Sequence, residues 1–336
     1  MDTVKIVVDG IILNCDDSIL GLPIGNGYTV QKVYLDEFPY KDLITNGRGD
    51  LNIEYVNSKR QDENGIYFFC LKKEDTYTIN PVEITLGTAI DQDDIMRNDQ
   101  LMIRKDQEAS YLLSYFTLLR VFKEGNIVTK NTCFTHTHKT WGFISNTQRH
   151  CMNFYSYNIA DTRQYSLSED ENRELALFIT DYSGTPFELL KDCIKEFTLG
   201  LSQIDIPTAF EQYTTALEMM LLDSNDRHGK KECLSKRTAM LLGCDDADIQ
   251  TIYTQMKNFY RYRSESLHEG DGSNITLLEL HSLESLARNV LKQFLRLCKN
   301  ELSNNSNVTW QEIKDRKINQ LKTLVQNKIA SGVLPR

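Results

Sequence analysis

The apolar residues change period once along the chain, and that single change constrains the fold more than any other feature. Up to about Tyr165 they alternate. VKIVVDGIIL, YTVQKVYL, LNIEYV, GIYFFCLKK, VEITLGTAI, NIVTKNTCFTHTH and TWGFIS are short runs rich in β-branched and aromatic residues, the pattern of strands that bury one face. Turn clusters such as Gly25-Asn26-Gly27 and Asn46-Gly47-Arg48-Gly49-Asp50 punctuate them. One segment departs from the rule: in DQEASYLLSYFTLLRVFKEG, Leu112, Tyr115, Phe116 and Leu119 follow helical spacing and Gly125 supplies a stop.

From Ser168 the period becomes helical. Ser168 and Glu171 have the spacing of a capping box, in which the serine side chain accepts from the third backbone N–H and the glutamate reaches back; ELALFITDY follows and Gly184 ends it. PFELLKDCIKEFTLGL, PTAFEQYTTALEMMLL, KKECLSKRTAMLL, DADIQTIYTQMKNFYRYRSESLH, ITLLELHSLESLARNVLKQFLRLCK and TWQEIKDRKINQLKTLVQNK then read as consecutive helices. The expected fold class is α+β, with a β-rich N-terminal domain over 1–165 and an all-α bundle over 166–336. A length of 336 residues accommodates both, at about 150 residues per domain.

Charge and cysteine usage narrow the function. A formal net charge of −9 argues against coating nucleic acid non-specifically, which needs clustered Lys and Arg, but leaves room for a local basic site. No apolar run approaches the roughly 18 residues of a membrane-spanning helix, and MDTVKIVVDGIILN alternates like a strand without the basic region of a signal peptide. The eight cysteines contain no CxxC pair, so separate thiols in a reducing cytosol are expected, with neither a disulfide framework nor a zinc site. A cytoplasmic protein without membrane contact follows.

The stretch YRYRSESLHEGDG at 260–272 carries the strongest chemical signal. On one straight helix Arg263 and His268 would point about 140° apart and stand about 7.5 Å apart along the axis. They converge only if the helix ends between them, as the following glycines permit, or if a second copy of the chain supplies the complementary face. Brought together, they suit RNA. A guanidinium makes charge-assisted bidentate hydrogen bonds to phosphate, and an imidazole moves a proton at a 2′-hydroxyl or a leaving 5′-oxygen. The expected products are a 2′,3′-cyclic phosphate and a 5′-hydroxyl end, with no metal or other cofactor required. A helix C-terminus and the neighbouring Glu265 and Glu269 would favour protonated His268, suited to a general acid.

Three segments extend this signal. LEMMLL at 217–222, KRTAMLLG at 236–243 and IYTQMKNFYRYRSESLHEG at 252–270 resemble the Apea-like HEPN family, in its ALE-type, A-x-LLG-type and Y-x-x-R-S-x-x-x-H-G-type motifs. YLLSYFTLLRVFKEGNIV at 111–128 resembles a segment found upstream of that domain in some members. The resemblance covers about 185–300 and leaves the first hundred residues almost untouched. It implies a HEPN helical bundle that forms a homodimer and, in many members, cuts RNA without metal at a site shared by two chains, often in prokaryotic defence and toxin systems. It makes Arg263 and His268 the catalytic pair, Ser264 a polar neighbour, Glu218 the acid that orients the arginine, and Tyr260 a supporting residue. The chain departs from the pattern at Glu269-Gly270, where many members have glycine directly after the histidine. The competing expectation is a catalytically inactive HEPN module that binds nucleic acid or protein and scaffolds a defence complex. The β-rich half is then expected to receive a protein or ligand activator.

Two further groups belong to the candidate set. Arg227, Lys230 and Lys231, followed by Lys236 and Arg237, form a basic loop and helix start able to hold RNA phosphates, or else a solvated turn. His136 and His138 share one face of a predicted strand, but no third ligand completes a metal site.

Overall fold

The computed structural model describes residues 2–79, 90–140, 144–154, 158, 160–226, 229–269 and 274–336. The chain divides into two compact units, Met1–Leu177 and Phe178–Arg336. An N-terminal antiparallel sheet and a C-terminal helical region make the fold α+β. Among the described residues, no helix is long and apolar enough to cross a membrane.

The first unit is built on strands β1 (Asp2–Leu13), β2 (Thr29–Tyr34), β3 (Arg60–Asp62), β4 (Gly65–Ile79), β5 (Val128–Thr140) and β6 (Ile144–Met152). Their order is β2-β4-β1-β5-β6, with β3 pairing to β4. The central β1 is paired antiparallel on both sides. Its register against β5 shifts between Asp9 and Ile11. Gly10 sits at that bulge because a Cβ there would meet Thr132 Oγ1 at 2.8 Å, an approach only glycine allows.

On one side of the sheet, Ile11, Leu13, Phe68, Cys70 and Val128 pack with Phe38, Ile44 and Tyr55. Elsewhere Val4 and Ile79 pack with Leu101 of the long helix α2 (Ile90–Phe122). A buried polar knot also ties α2 to the sheet. Lys73 on β4 meets Glu108 on α2 at 2.8 Å, Tyr28 donates to the same carboxylate at 2.7 Å, and Arg104 reaches it at 2.9 Å. Fully buried ions persist only when paired and hydrogen-bonded in this way.

Several expectations needed correction. LNIEYV contributes not a strand but a one-turn helix, α1 (Ile53–Val56), entered from the turn residue Asn52. The helix expected from about residue 106 begins at Ile90; IDQDDIMRNDQ has too few apolar residues to show a stripe. VEITLGTAI lies almost wholly outside the described residues, as does the centre of TWGFIS. Cys133 and Cys151 are bonded as a disulfide between directly opposed positions of β5 and β6, where separate thiols were expected. They stand 18 positions apart in the sequence, a spacing that carries no motif.

The unit boundary falls at 177/178, inside α3 (Glu169–Tyr182), rather than at 165/166. Contacts of the first unit explain the shift. Tyr165 N–H donates to the Asn14 carbonyl at 2.7 Å, Leu167 N–H to Ser18 Oγ at 2.9 Å, and Lys123 pairs with Glu171 at 2.7 Å. The capping box that starts α3 forms as the sequence suggests, with Ser168 N–H to Glu171 Oε2 at 2.8 Å and Glu171 N–H to Ser168 Oγ at 3.2 Å.

The second unit holds α4 (Thr185–Leu189), α5 (Lys191–Ser202), α6 (Ile206–Leu221), α7 (Lys230–Leu242), α8 (Asp246–Glu269), α9 (Leu277–Asn304) and α10 (Trp310–Ala330). PFELLKDCIKEFTLGL, expected as one helix, is two, broken at Leu190. α6 packs against α5 and α9, and α7 against α8 and α10. The apolar stripes close this core: Phe210, Leu217, Met220 and Leu221 of α6, Leu283, Leu291 and Phe294 of α9, and Met256 of α8 are all inaccessible to solvent. Gly200 lets α5 and α6 approach, since a Cβ there would fall 2.5 Å from the Tyr213 ring.

Candidate functional site

α6 carries its apolar residues at the spacing of a buried stripe, which turns Leu217 and Leu221 inward and leaves Glu218 at the edge of the core with its side chain 16% exposed. α8 does the same with Met256 and Phe259, leaving Tyr260 and Arg263 half-buried. These two edges meet. Arg263 Nη1 donates to Glu218 Oε1 at 3.3 Å, and the guanidinium lies 5.8 Å from the centre of the Tyr260 ring. Lys230, the first residue of α7, reaches the second carboxylate oxygen of Glu218 at 3.4 Å.

Glu218, Tyr260, Lys230 and Arg263 therefore form one polar cluster drawn from three helices. Its electrostatics are visible in Tyr260, whose phenol is pushed above its ordinary range, first by burial and then by the Glu218 charge. Arg263 Nε is buried with no hydrogen-bond partner among the described residues. One edge of the guanidinium fork is thus taken by Glu218 while Nε–H still has donor capacity. Chemically the cluster is a cation held at the rim of a core by a carboxylate, with a second cation beside it, an arrangement that accepts an oxyanion.

α8 runs unbroken through Glu269, so the helix does not end between Arg263 and His268. The two positions lie about 140° apart around one axis, and the expected helix end between them is absent. The His268 side chain itself lies outside the described residues. Ser264 is exposed beside Arg263. Glu265, one of the acids flanking the histidine, is drawn aside by Arg261 at 3.6 Å and by Asn274 at 3.1 Å.

The basic set divides. Arg227 lies outside the described residues. Lys230 belongs to the cluster, and Lys231, one position further along α7, is half-buried. Lys236 lines a separate cleft. Arg237 leaves the set: it is 4% exposed, forms a two-pronged pair with Asp226 and donates to the Leu221 carbonyl at 2.7 Å. It ties α7 to the end of α6 rather than facing solvent phosphate. The sequence offered no warning of this, because Arg237 follows Lys236 in an apparently continuous basic run.

In the first unit His136 and His138 do lie on one face of β5, both buried. His136 Nδ1 is 3.0 Å from the Tyr77 hydroxyl. Burial first, then His150, His138, Arg104 and Lys105, push its pKa down to about 4. Among the described residues no group of three His, Cys, Asp or Glu side chains is placed to hold a metal ion.

Comparison of the chain with protein-family models, with curated proteins and with solved structures finds no match.

Proposed function

We infer that this chain is a metal-independent endoribonuclease of the HEPN kind, acting as a homodimer. The observation that carries the reading is the meeting of Glu218, Tyr260 and Arg263, residues 45 positions apart at the extremes and chosen by motif, at one polar rim. In this reading Glu218 holds the Arg263 guanidinium against the Tyr260 ring, so that the fork is oriented before a phosphate arrives. Lys230 adds a second positive charge at the same carboxylate.

The reaction follows from the groups. A 2′-hydroxyl attacks the adjacent phosphorus while its proton passes to a base. Arg263 donates to the phosphoryl oxygens as negative charge builds on them. The imidazole of His268 gives a proton to the departing 5′-oxygen. With α8 continuous through both positions, this reading takes that imidazole from the second copy of the chain, which makes the homodimer part of the mechanism. The sheet-bearing unit is then the place where an activating protein or ligand would act.

One observation favours a second reading. Glu218 already pairs with both Arg263 and Lys230, as a structural ion cluster in an inactive binding module would. Labelled RNA incubated with the full chain in EDTA separates the two. Cleavage that persists in EDTA and disappears in both Arg263→Ala and His268→Ala supports the enzyme. RNA retained without cleavage by wild type and variants alike supports the binding module.

A further inference from the structure

Two helices of the second unit that pack together leave a cleft along part of their seam. α7 presents Glu232, Cys233 and Lys236 on one side, and α10 presents Lys322, Val325 and Ile329 on the other, around a cleft of about 360 Å³. Facing helices ordinarily interdigitate at 8–10 Å separation and leave few voids larger than a water molecule. A cleft of this size falls within the range that binds small organic ligands. On α10 the lining positions are spaced three and four apart, so they form one face of that helix, cationic at Lys322 and apolar at Val325 and Ile329.

The feature that gives the cleft its chemistry is Lys236. Its side chain is only 11% exposed, yet among the described residues its nearest carboxylate oxygen, on Glu232, is 3.8 Å away. That is beyond hydrogen-bonding distance. Glu232 is already engaged, by Lys257 at 2.7 Å and by the Tyr253 hydroxyl at 2.8 Å. Asp226, the other acid of the wall, is held by Arg237. Lys322 pairs with Asp223 at 2.7 Å from the opposite helix. The Lys236 ammonium, which lines the cleft with no hydrogen bond among the described residues, therefore keeps its N–H donors open to an anion entering it.

The geometry points to a binding site for a small amphipathic oxyanion, with its carboxylate or phosphate group on Lys236 and its apolar body against Val325 and Ile329. This site is separate from the Glu218 cluster and does not depend on the nuclease reading. Lys322 and the Gln326 amide, one turn apart on α10, supply further donors at the mouth.

Cys233 makes the proposal measurable. Its half-buried thiol lies in the cleft wall, whereas the exposed Cys244 lies outside it and serves as an internal reference. The full chain is titrated with phenyl phosphate, with benzoate and with inorganic phosphate, and alkylation of each cysteine is followed by mass spectrometry. Phenyl phosphate or benzoate should slow alkylation of Cys233 and leave Cys244 unchanged; which of the two acts at lower concentration distinguishes a phosphate from a carboxylate ligand. Inorganic phosphate should protect weakly, because it has no apolar body. Lys236→Gln should raise the concentration needed about tenfold, the loss expected for one charge-assisted hydrogen bond. Ile329→Trp, which fills the cleft from the other helix, should abolish protection without touching Lys236. Equal protection of both cysteines, or unaltered titrations in both variants, overturns the proposal. So does a Lys236→Gln variant that binds phenyl phosphate and benzoate normally but an RNA oligonucleotide poorly, since the cleft would then be part of a nucleic-acid surface.

Discussion

Glu218 on α6 and Arg263 on α8 stand 45 residues apart in the chain and 3.3 Å apart in the fold, each less than one-fifth exposed. A carboxylate placed this way has two separable effects. As a partly buried ion pair it adds modestly to stability, and as an anchor it fixes the direction of a guanidinium whose Nε has no hydrogen-bond partner among the described residues.

Glu218→Gln separates those effects. It keeps an oxygen acceptor but removes the charge, so the loss of stability should be about 1 kcal/mol or less. If Glu218 orients Arg263 for catalysis, single-turnover RNA cleavage should fall roughly tenfold or more, or about 1.4 kcal/mol of transition-state stabilisation. Arg263→Lys should not restore cleavage, because an ammonium lacks the planar fork. Cleavage at wild-type rate in Glu218→Gln would leave the ion pair a purely structural role.

The legible parts of this molecule were those set by local chemistry. Ser168 and Glu171 announce the start of α3, and Lys230–Leu242 reads as a helix with Gly243 to stop it. The alternation at the start of VKIVVDGIIL gives β1, which pairs antiparallel on both sides. What stayed hidden depends on long-range pairing. Arg237 reads as one of a basic run until Asp226 is seen beneath it. Cys133 and Cys151 read as unrelated thiols until β5 and β6 are placed in register. The Glu218–Arg263 pair was reached only through motif resemblance, since spacing within a sequence cannot bring two helices together. Lys230 was in view as a loop cation, but nothing local pointed it at Glu218.

Arg237 and Asp226 make a sharper test of stability than of function. Both are buried, and Arg237 also satisfies the Leu221 carbonyl at the end of α6. Arg237→Met strands a buried carboxylate and should cost about 3–5 kcal/mol, while replacing both partners with apolar residues should recover much of that loss. Thermal denaturation of the two single variants and the double variant measures the coupling. If Arg237→Met melts like wild type and the RNA affinity falls instead, the arginine faces ligand rather than Asp226.

The disulfide predicts a thiol count and a stability difference. Under denaturing, non-reducing conditions, alkylation should label Cys15, Cys70, Cys193, Cys233, Cys244 and Cys298 and spare Cys133 and Cys151. Closing a loop of 18 residues should contribute about 3 kcal/mol through the unfolded chain. Adding dithiothreitol should therefore lower the melting temperature, and Cys133→Ala with Cys151→Ala should reproduce that lower value without reductant. Labelling of all eight cysteines would remove the bond from the account.

His136 gives a pH dependence with a definite sign. It is inaccessible to solvent, its Nε2 has no hydrogen-bond partner among the described residues, and its Nδ1 meets Tyr77 of β4. His138 on β5, His150 on β6, and Arg104 and Lys105 on α2 all face it with positive or potentially positive charge, while β1 offers the uncharged Ile6 in register. Burial leads these causes and holds the folded pKa near 4, against 6.5 for the free side chain. Above pH 6.5 the ring is neutral in both states and adds no pH dependence. As pH falls through 6.5 the unfolded chain takes up the proton first, so stability drops until about pH 4, where the folded ring also protonates and the slope ends. The full loss is roughly 3 kcal/mol. His136→Gln cannot titrate and retains a polar group for Tyr77, so its urea midpoint should fall less than that of wild type between pH 7 and pH 4.5. Parallel pH profiles for wild type and His136→Gln would place the acid sensitivity of this unit elsewhere.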